Sequence, residues 1–238
     1  MGRILYVFPH PDDEAFGPGP VLARQRRQGH EVSLLTLTRG EATRQRTKFG
    51  FSKAEMGQVR YEEMQCTARV LDLNSMTVLE FPDGGLPELD PAVLADAIRT
   101  CVEGIRPEVV VTYPVHGISG HPDHLAGHAV VKQVFCDLRR DGAGYLKRLA
   151  FFTLSTRPKP GRPGHLKGSP REAIDCIVPI EKADMDTGRE LLQCYKTYQA
   201  VVSEHNPLAQ VEDGVAFEFF QEDFTPPVDD LFAELDAA

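Results

Sequence analysis

Between Phe8 and Gly19 the chain reads FPHPDDEAFGPG, and His10 to Glu14 sets one imidazole and three carboxylates within five residues. Like charges that close repel, and a turn needs one Asp or Asn rather than a block of acid. The pattern implies a cation. A second stretch, YPVHGISGHPDHLAGH from Tyr113 to His128, contains His121-Pro122-Asp123-His124. His10, Asp13 and His124 together make a two-imidazole, one-carboxylate set, the donor chemistry of a catalytic zinc ion with positions left open for water. Ligand types alone leave the metal open, and Fe2+ or another divalent ion suits the same donors.

The neighbouring residues then acquire roles. Asp12, beside ligand Asp13, would face the attacking water as general base, and His121 would act as acid or oxyanion stabiliser. Asp123 would hydrogen-bond to an imidazole and fix its tautomer. Glu14 is read either as a structural partner or as an acid at a helix start. His124 and His128 stand four apart, the spacing of a metalloprotease pair. Leu125 occupies the place where that motif needs its Glu, so His128 is assigned to helix packing. His116 is a loop histidine without an assigned role.

Chemistry of this kind requires two distant segments to meet, and the element pattern provides for it. Arg3–Phe8, Glu31–Leu37, Met76–Leu79, Val109–Tyr113, Leu149–Leu154 and Ile174–Ile180 read as strands. Helical periodicity marks Val21–Gln28, Lys53–Leu73, Pro91–Ile105, His121–Leu138 and one long last helix, Glu181–Val201. Alternation of this type predicts a Rossmann-like, doubly wound α/β fold, a mostly parallel sheet with helices on both faces. Ligands bind such sheets beyond the C-terminal strand ends, where both His-containing segments fall. A non-haem iron oxygenase, which uses a similar donor triad, belongs to antiparallel β barrels and does not fit an α/β pattern. No G-x-G-x-x-G or P-loop occurs, so the architecture carries no nucleotide implication.

PHPDDE near the N-terminus, followed by HPDH after an apolar strand, resembles the LmbE-like, or PIG-L-like, metal-dependent deacetylase family. The likeness extends through TRGEA (Thr38–Ala42), VRYEE (Val59–Glu63) and FPDGGL (Phe81–Leu86), over roughly the first 130 residues. It implies a zinc enzyme that removes acetyl from an N-acetylglucosamine-type sugar or glycoconjugate. By motif, His10, Asp13 and His124 would hold the metal, Asp12 would be the base and His121 the acid. Arg60 of VRYEE would lie on the substrate side or support the site, and Asp83 would shape the pocket; both are assigned to substrate binding. Pro9 stands where the family usually has Ala. The C-terminal third carries no matching motif.

The remaining sequence sets limits. With 238 residues, the chain suits a single α/β domain whose motifs lie in about residues 1–140 and whose C-terminal elaboration spans about 141–238. A net charge of −9 argues against nucleic-acid or anionic-membrane partners. No run is long and apolar enough for a membrane span, and the N-terminus lacks a signal-peptide pattern, so a cytoplasmic location is expected. Five scattered cysteines without C-x-x-C argue against a disulfide framework. Pro158–Arg171, rich in Pro, Gly and positive charge, reads as a mobile surface loop. A homo-oligomer is compatible with the sequence. The reading is a zinc-dependent N-deacetylase of N-acetylated amino sugars. Its rivals are a metal hydrolase of another amide or ester and a metal-binding relative without activity.

Overall fold

The computed structural model describes residues 1–156 and 162–235. Its elements are β1 (Arg3–Phe8), α1 (Gly19–Arg27), β2 (Glu31–Thr38), α2 (Arg46–Phe49), α3 (Lys53–Leu71), β3 (Ser75–Phe81), α4 (Pro91–Ile105) and β4 (Val109–Thr112). There follow α5 (Gly117–Gly120), α6 (Pro122–Arg140), β5 (Arg148–Thr153), β6 (Cys176–Val178), α7 (Lys182–Cys194), α8 (Gln199–His205) and β7 (Val215–Phe219). The seven strands form one sheet in the order β3-β2-β1-β4-β5-β7-β6. The neighbouring pairs from β3 to β5 are parallel, and β7 runs antiparallel to both β5 and β6.

β1 is wholly apolar after its first residue because both sheet faces are covered. Ile4, Tyr6 and Phe8 point into a core shared with Val21, Leu22, Met64 and Leu191 from α1, α3 and α7. Leu5 and Val7 point the other way, into a core with Leu94, Ile98, Val130 and Val134 from α4 and α6. The chain moves outward from β1 in one direction through β2 and β3, then returns to place β4 on the other side of β1. The crevice between the C-terminal ends of β1 and β4 is thus the switch point at which such sheets bind ligands.

Local chemistry fixes the helix starts. Ser52 and Glu55 form a reciprocal capping box at α3. At α6, Pro122 takes the first turn and the His121 side chain caps the backbone N–H of Asp123.

Four expectations are corrected. The long helix expected over Glu181–Val201 breaks after Cys194, where Tyr195 leaves the helical region. Thr197 N–H and its hydroxyl bond instead to the Glu63 carboxylate, at 2.7 and 2.8 Å, which removes a donor the helix would need. The strand expected over Ile174–Ile180 shortens to Cys176–Val178, and β7, a five-residue VAFEF strand without a sequence-level assignment, intervenes between it and β5. Cys66 and Cys194 are joined in a disulfide across 128 residues, where the cysteine pattern argued against a disulfide framework. Lastly, residues 162–171 are pinned rather than loose. Lys167 N–H donates to Ile118 O, Ser169 N–H to Leu154 O, and Arg162 Nη1 to Ser155 O. Residues 157–161 of that expected loop lie outside the described residues.

Candidate metal centre and active site

Two residues beyond β1, His10 turns its imidazole toward the β4 side of the crevice. Its Nδ1 lies 3.3 Å from Nε2 of His124 and 3.5 Å from Oδ2 of Asp13. His124 Nε2 is 3.5 Å from the other Asp13 oxygen. A tetrahedral zinc with bonds of ~2.0–2.1 Å has edges of ~3.3–3.4 Å between its donor atoms. The two imidazole nitrogens thus stand one such edge apart, and each lies close to an edge length from a different oxygen of the Asp13 carboxylate.

The outward nitrogens are occupied as a metal site requires. His124 Nδ1 is 2.9 Å from the Gly117 carbonyl, so Nδ1 carries the proton and Nε2 keeps its lone pair. His10 Nε2 lies 3.0 Å from Asp123 Oδ2 and 3.2 Å from Asp83 Oδ1, which leaves Nδ1 free to bind. His10, Asp83 and Asp123 also group as potential metal donors within 4.8 Å, as do His10, His121 and His124. Hydrogen bonding explains the first group fully. In the second, His121 uses Nδ1 to accept the Asp123 N–H at 3.2 Å, so it is already engaged as a helix cap.

The sequence motifs interlock around these side chains. Asp123, fully buried, accepts N–H groups from Gly84 at 2.8 Å and Leu86 at 3.1 Å, so FPDGGL holds the carboxylate that holds His10. Asp83 accepts the Ala42 N–H at 2.7 Å, and Glu41 accepts the Asp83 N–H at 2.9 Å, which ties TRGEA to the same loop. Arg60 is 1 % exposed. It donates to Asp12 Oδ2 at 2.6 Å, Pro11 O at 2.5 Å and Gly40 O at 3.2 Å, with its guanidinium over the Tyr198 ring. Gly40 has φ +63°, and a Cβ there would come within 2.1 Å of Arg60 Nη1. Asp12 itself holds φ +85°, an uncommon non-glycine backbone at the site's centre.

These contacts give Arg60 and Asp83, the two residues assigned to substrate binding, a supporting role as well. Arg60 is spent on Asp12 and two carbonyls, and both Asp83 oxygens are engaged by protein groups. Both residues still line the cavity beside the donor set, so each supports the site while standing at the edge of the space a substrate would occupy.

Electrostatics separate the adjacent aspartates. Burial pushes the Asp12 carboxyl up, Arg60 opposes it and Asp13 adds to it, giving a value of about 7. Burial also pushes Asp13 up, but His124 and His10 outweigh it and bring that group to about 2. Burial lowers His124 and favours its neutral form. For His10, burial is outweighed by Asp123, Asp13 and Asp83, which raise its affinity for a proton; a cation on Nδ1 competes with that proton.

Several participants carried no sequence signal. Tyr113 donates its hydroxyl to Asp13 Oδ1 at 2.8 Å and stacks on His124 with centroids 4.2 Å apart. Tyr195 hydrogen-bonds to Glu14, which is buried without exposure and raised by burial to about 8. Glu14 is thus a structural partner, and α1 begins only at Gly19. Ile118 adopts φ +55°, ψ −65° beside Gly117, the carbonyl that orients His124. His128 packs through a 2.8 Å bond to Tyr113 O, and His116 braces its loop against Ser169.

A mostly parallel α/β sheet whose switch point carries two oriented imidazoles and a carboxylate defines a class of α/β proteins with a candidate metal site. The chain belongs to the PIG-L family, described as GlcNAc-PI de-N-acetylase, whose profile matches residues 5–135. It is 31 % identical over 142 residues to a probable N-acetyl-alpha-D-glucosaminyl L-malate deacetylase 2 of Bacillus subtilis strain 168, covering 58 % of this chain and 63 % of the relative. It is 30 % identical over 168 residues to a 1D-myo-inositol 2-acetamido-2-deoxy-alpha-D-glucopyranoside deacetylase of Kineococcus radiotolerans, covering 59 % and 46 % respectively. The chain thus spans less than two thirds of the length of these relatives. Among solved structures, a zinc-inhibited form of teicoplanin deacetylase Orf2 shares the fold, with a TM-score of 0.71, 17 % identity and coverage of 91 % of this chain and 97 % of that one.

Proposed function

We propose that the protein is a zinc-dependent N-deacetylase that hydrolyses the amide of an N-acetylated amino sugar or its conjugate. The observation that carries this reading is the mutual spacing of His10 Nδ1, His124 Nε2 and the Asp13 carboxylate, with each imidazole's other nitrogen already hydrogen-bonded. These three residues would hold the metal. When bound there, a divalent ion supplies Lewis-acid polarisation of the amide carbonyl and makes water a stronger acid.

The chain's own groups divide the proton work. Asp12, held by Arg60 and balanced near neutrality, accepts the proton of the attacking water. His121 keeps Nδ1 as the acceptor of the cap bond, so its ring proton sits on Nε2, from which it donates to the developing oxyanion. Protonating both nitrogens would break that cap. This leaves Asp12 to return its proton to the departing amine. Asp123 and Asp83 act one layer out, by keeping His10 in the tautomer that binds.

Among the described residues no helix is long and apolar enough to cross a membrane. A cytoplasmic location is part of the proposal, although the Cys66–Cys194 disulfide counts against it, because reducing compartments keep such pairs as thiols. The metal, the sugar and the reaction are tested together by acetate release from N-acetylglucosamine conjugates with metal-stripped and zinc-reloaded protein. Asp12→Asn should retain zinc and lose turnover, whereas Asp13→Asn should lose zinc. Loss of zinc from Asp12→Asn instead would show that the two roles are exchanged.

A further inference from the structure

The donor set stands where two cavities of different polarity meet. One, of about 450 Å³, is lined by polar groups that include Thr43, Arg44, Asp83 and His121. The other, of about 310 Å³, has walls of Phe16, Ile118, Phe152, Leu154, Leu166 and Val201. Asp12, Asp13, Phe16, Ser119 and His124 line both.

An amide held at those shared residues must send its amine side one way and its acyl side the other. A sugar carries several hydroxyls, each costly to bury without a partner. The first cavity offers many such partners, whereas the second, beyond the shared residues, offers few, chiefly His165, His205 and Gln210. Its single unpartnered buried donor among the described residues is Nε2 of Gln210, far short of what a sugar ring needs. The acyl side therefore faces the apolar chamber. An acetyl methyl, close to a water molecule's ~30 Å³ share of volume, would fill only about a tenth of it.

We propose that the chamber receives a medium-length aliphatic acyl chain, so that the preferred substrate is an N-acylated amino sugar with an acyl group longer than acetyl. The proposal rests on the amide-hydrolase reading of the same site. In the reaction the acyl C–N bond breaks and the water oxygen bonds to the acyl carbon. The amine leaves with a proton, giving a fatty carboxylate and a free amino sugar.

The test uses zinc-loaded full chain and glucosamine N-acylated with acetyl, butanoyl, hexanoyl, octanoyl or decanoyl, beside octyl N-acetylglucosaminide. We expect kcat/KM to rise by up to about fourfold per methylene until the chamber is full. Leu166→Trp, or Val201→Phe should the first variant unfold, should reduce octanoyl turnover about tenfold and leave acetyl turnover within about twofold. Acetyl turned over as well as the longer chains would overturn the proposal. So would a gain from the octyl glycoside without one from the octanoyl amide, which would give the chamber to the aglycone. Calorimetry of the same series on Asp12→Asn separates the two readings. Absence of turnover with every chain removes the hydrolase, whereas binding that is flat across the series removes the chamber's assignment.

Discussion

At the scale of single residues, the site depends on which nitrogen of each imidazole carries a proton. Asp123 fixes this for His10 while two backbone N–H groups fix Asp123. Asp123→Asn keeps the shape but loses acceptor strength, and zinc affinity should drop by about 10–100-fold in chelator competition. An unchanged affinity would show that His10 orients without it. Glu14 makes a separate prediction. Its folded value of about 8 lies above the ordinary 4.5, so between those pH values the native state binds more protons than the unfolded state. Stability contributed by neutral Glu14 is therefore complete below pH 4.5 and is lost as pH rises toward 8. Glu14→Gln keeps an acceptor for Tyr195 and cannot ionise. Its melting temperature should fall less than the native protein's on going from acid to mildly alkaline pH, and identical slopes would refute burial as the cause.

At the scale of elements, Arg60 on α3 serves the loops after β1 and β2 at once. Arg60→Lys preserves charge but cannot reach Asp12, Pro11 O and Gly40 O together. We expect zinc binding to persist and kcat to fall by about 10²-fold, the lower end of what general acid–base catalysis supplies. A kcat near native would remove Arg60 from the support of Asp12. The residues gathered here also show what the sequence could tell. PHPDDE and HPDH reveal themselves because several costly groups share one short segment, and strand periodicity already sends both to the same sheet edge. Arg60 and Asp83 could be singled out by motif, yet their orientation could not, since a guanidinium facing a substrate and one facing Asp12 have the same local sequence. Tyr113, Tyr195 and Thr197 left no trace because their importance lies in partners 100, 181 and 134 residues away. For the same reason the break after Cys194 was invisible. Helical periodicity continues through it, and only the tertiary claim of Glu63 on Thr197 overrides the pattern.

At the scale of the molecule, the C-terminal third has no motif but closes the site. Tyr195, Thr197 and Tyr198 touch Glu14, Glu63 and Arg60, and Val201, His205 and Gln210 line the apolar chamber. The proposed metal donors, by contrast, all lie between residues 10 and 124. The Cys66–Cys194 bond joins these two parts, fastening α3 to the end of α7 one residue before Tyr195. It closes a chain loop of 128 residues, so its loss frees much of the unfolded ensemble. Replacing both cysteines by serine should lower unfolding stability by about 2–5 kcal/mol in denaturant titration. Zinc affinity should hold, because no ligand lies beyond the joint. Turnover should weaken first for substrates that rely on the chamber wall, through a raised KM. If stability is the same with both cysteines replaced, the bond does not hold the closure; if zinc affinity falls with it, the donor set is not independent of the C-terminal third.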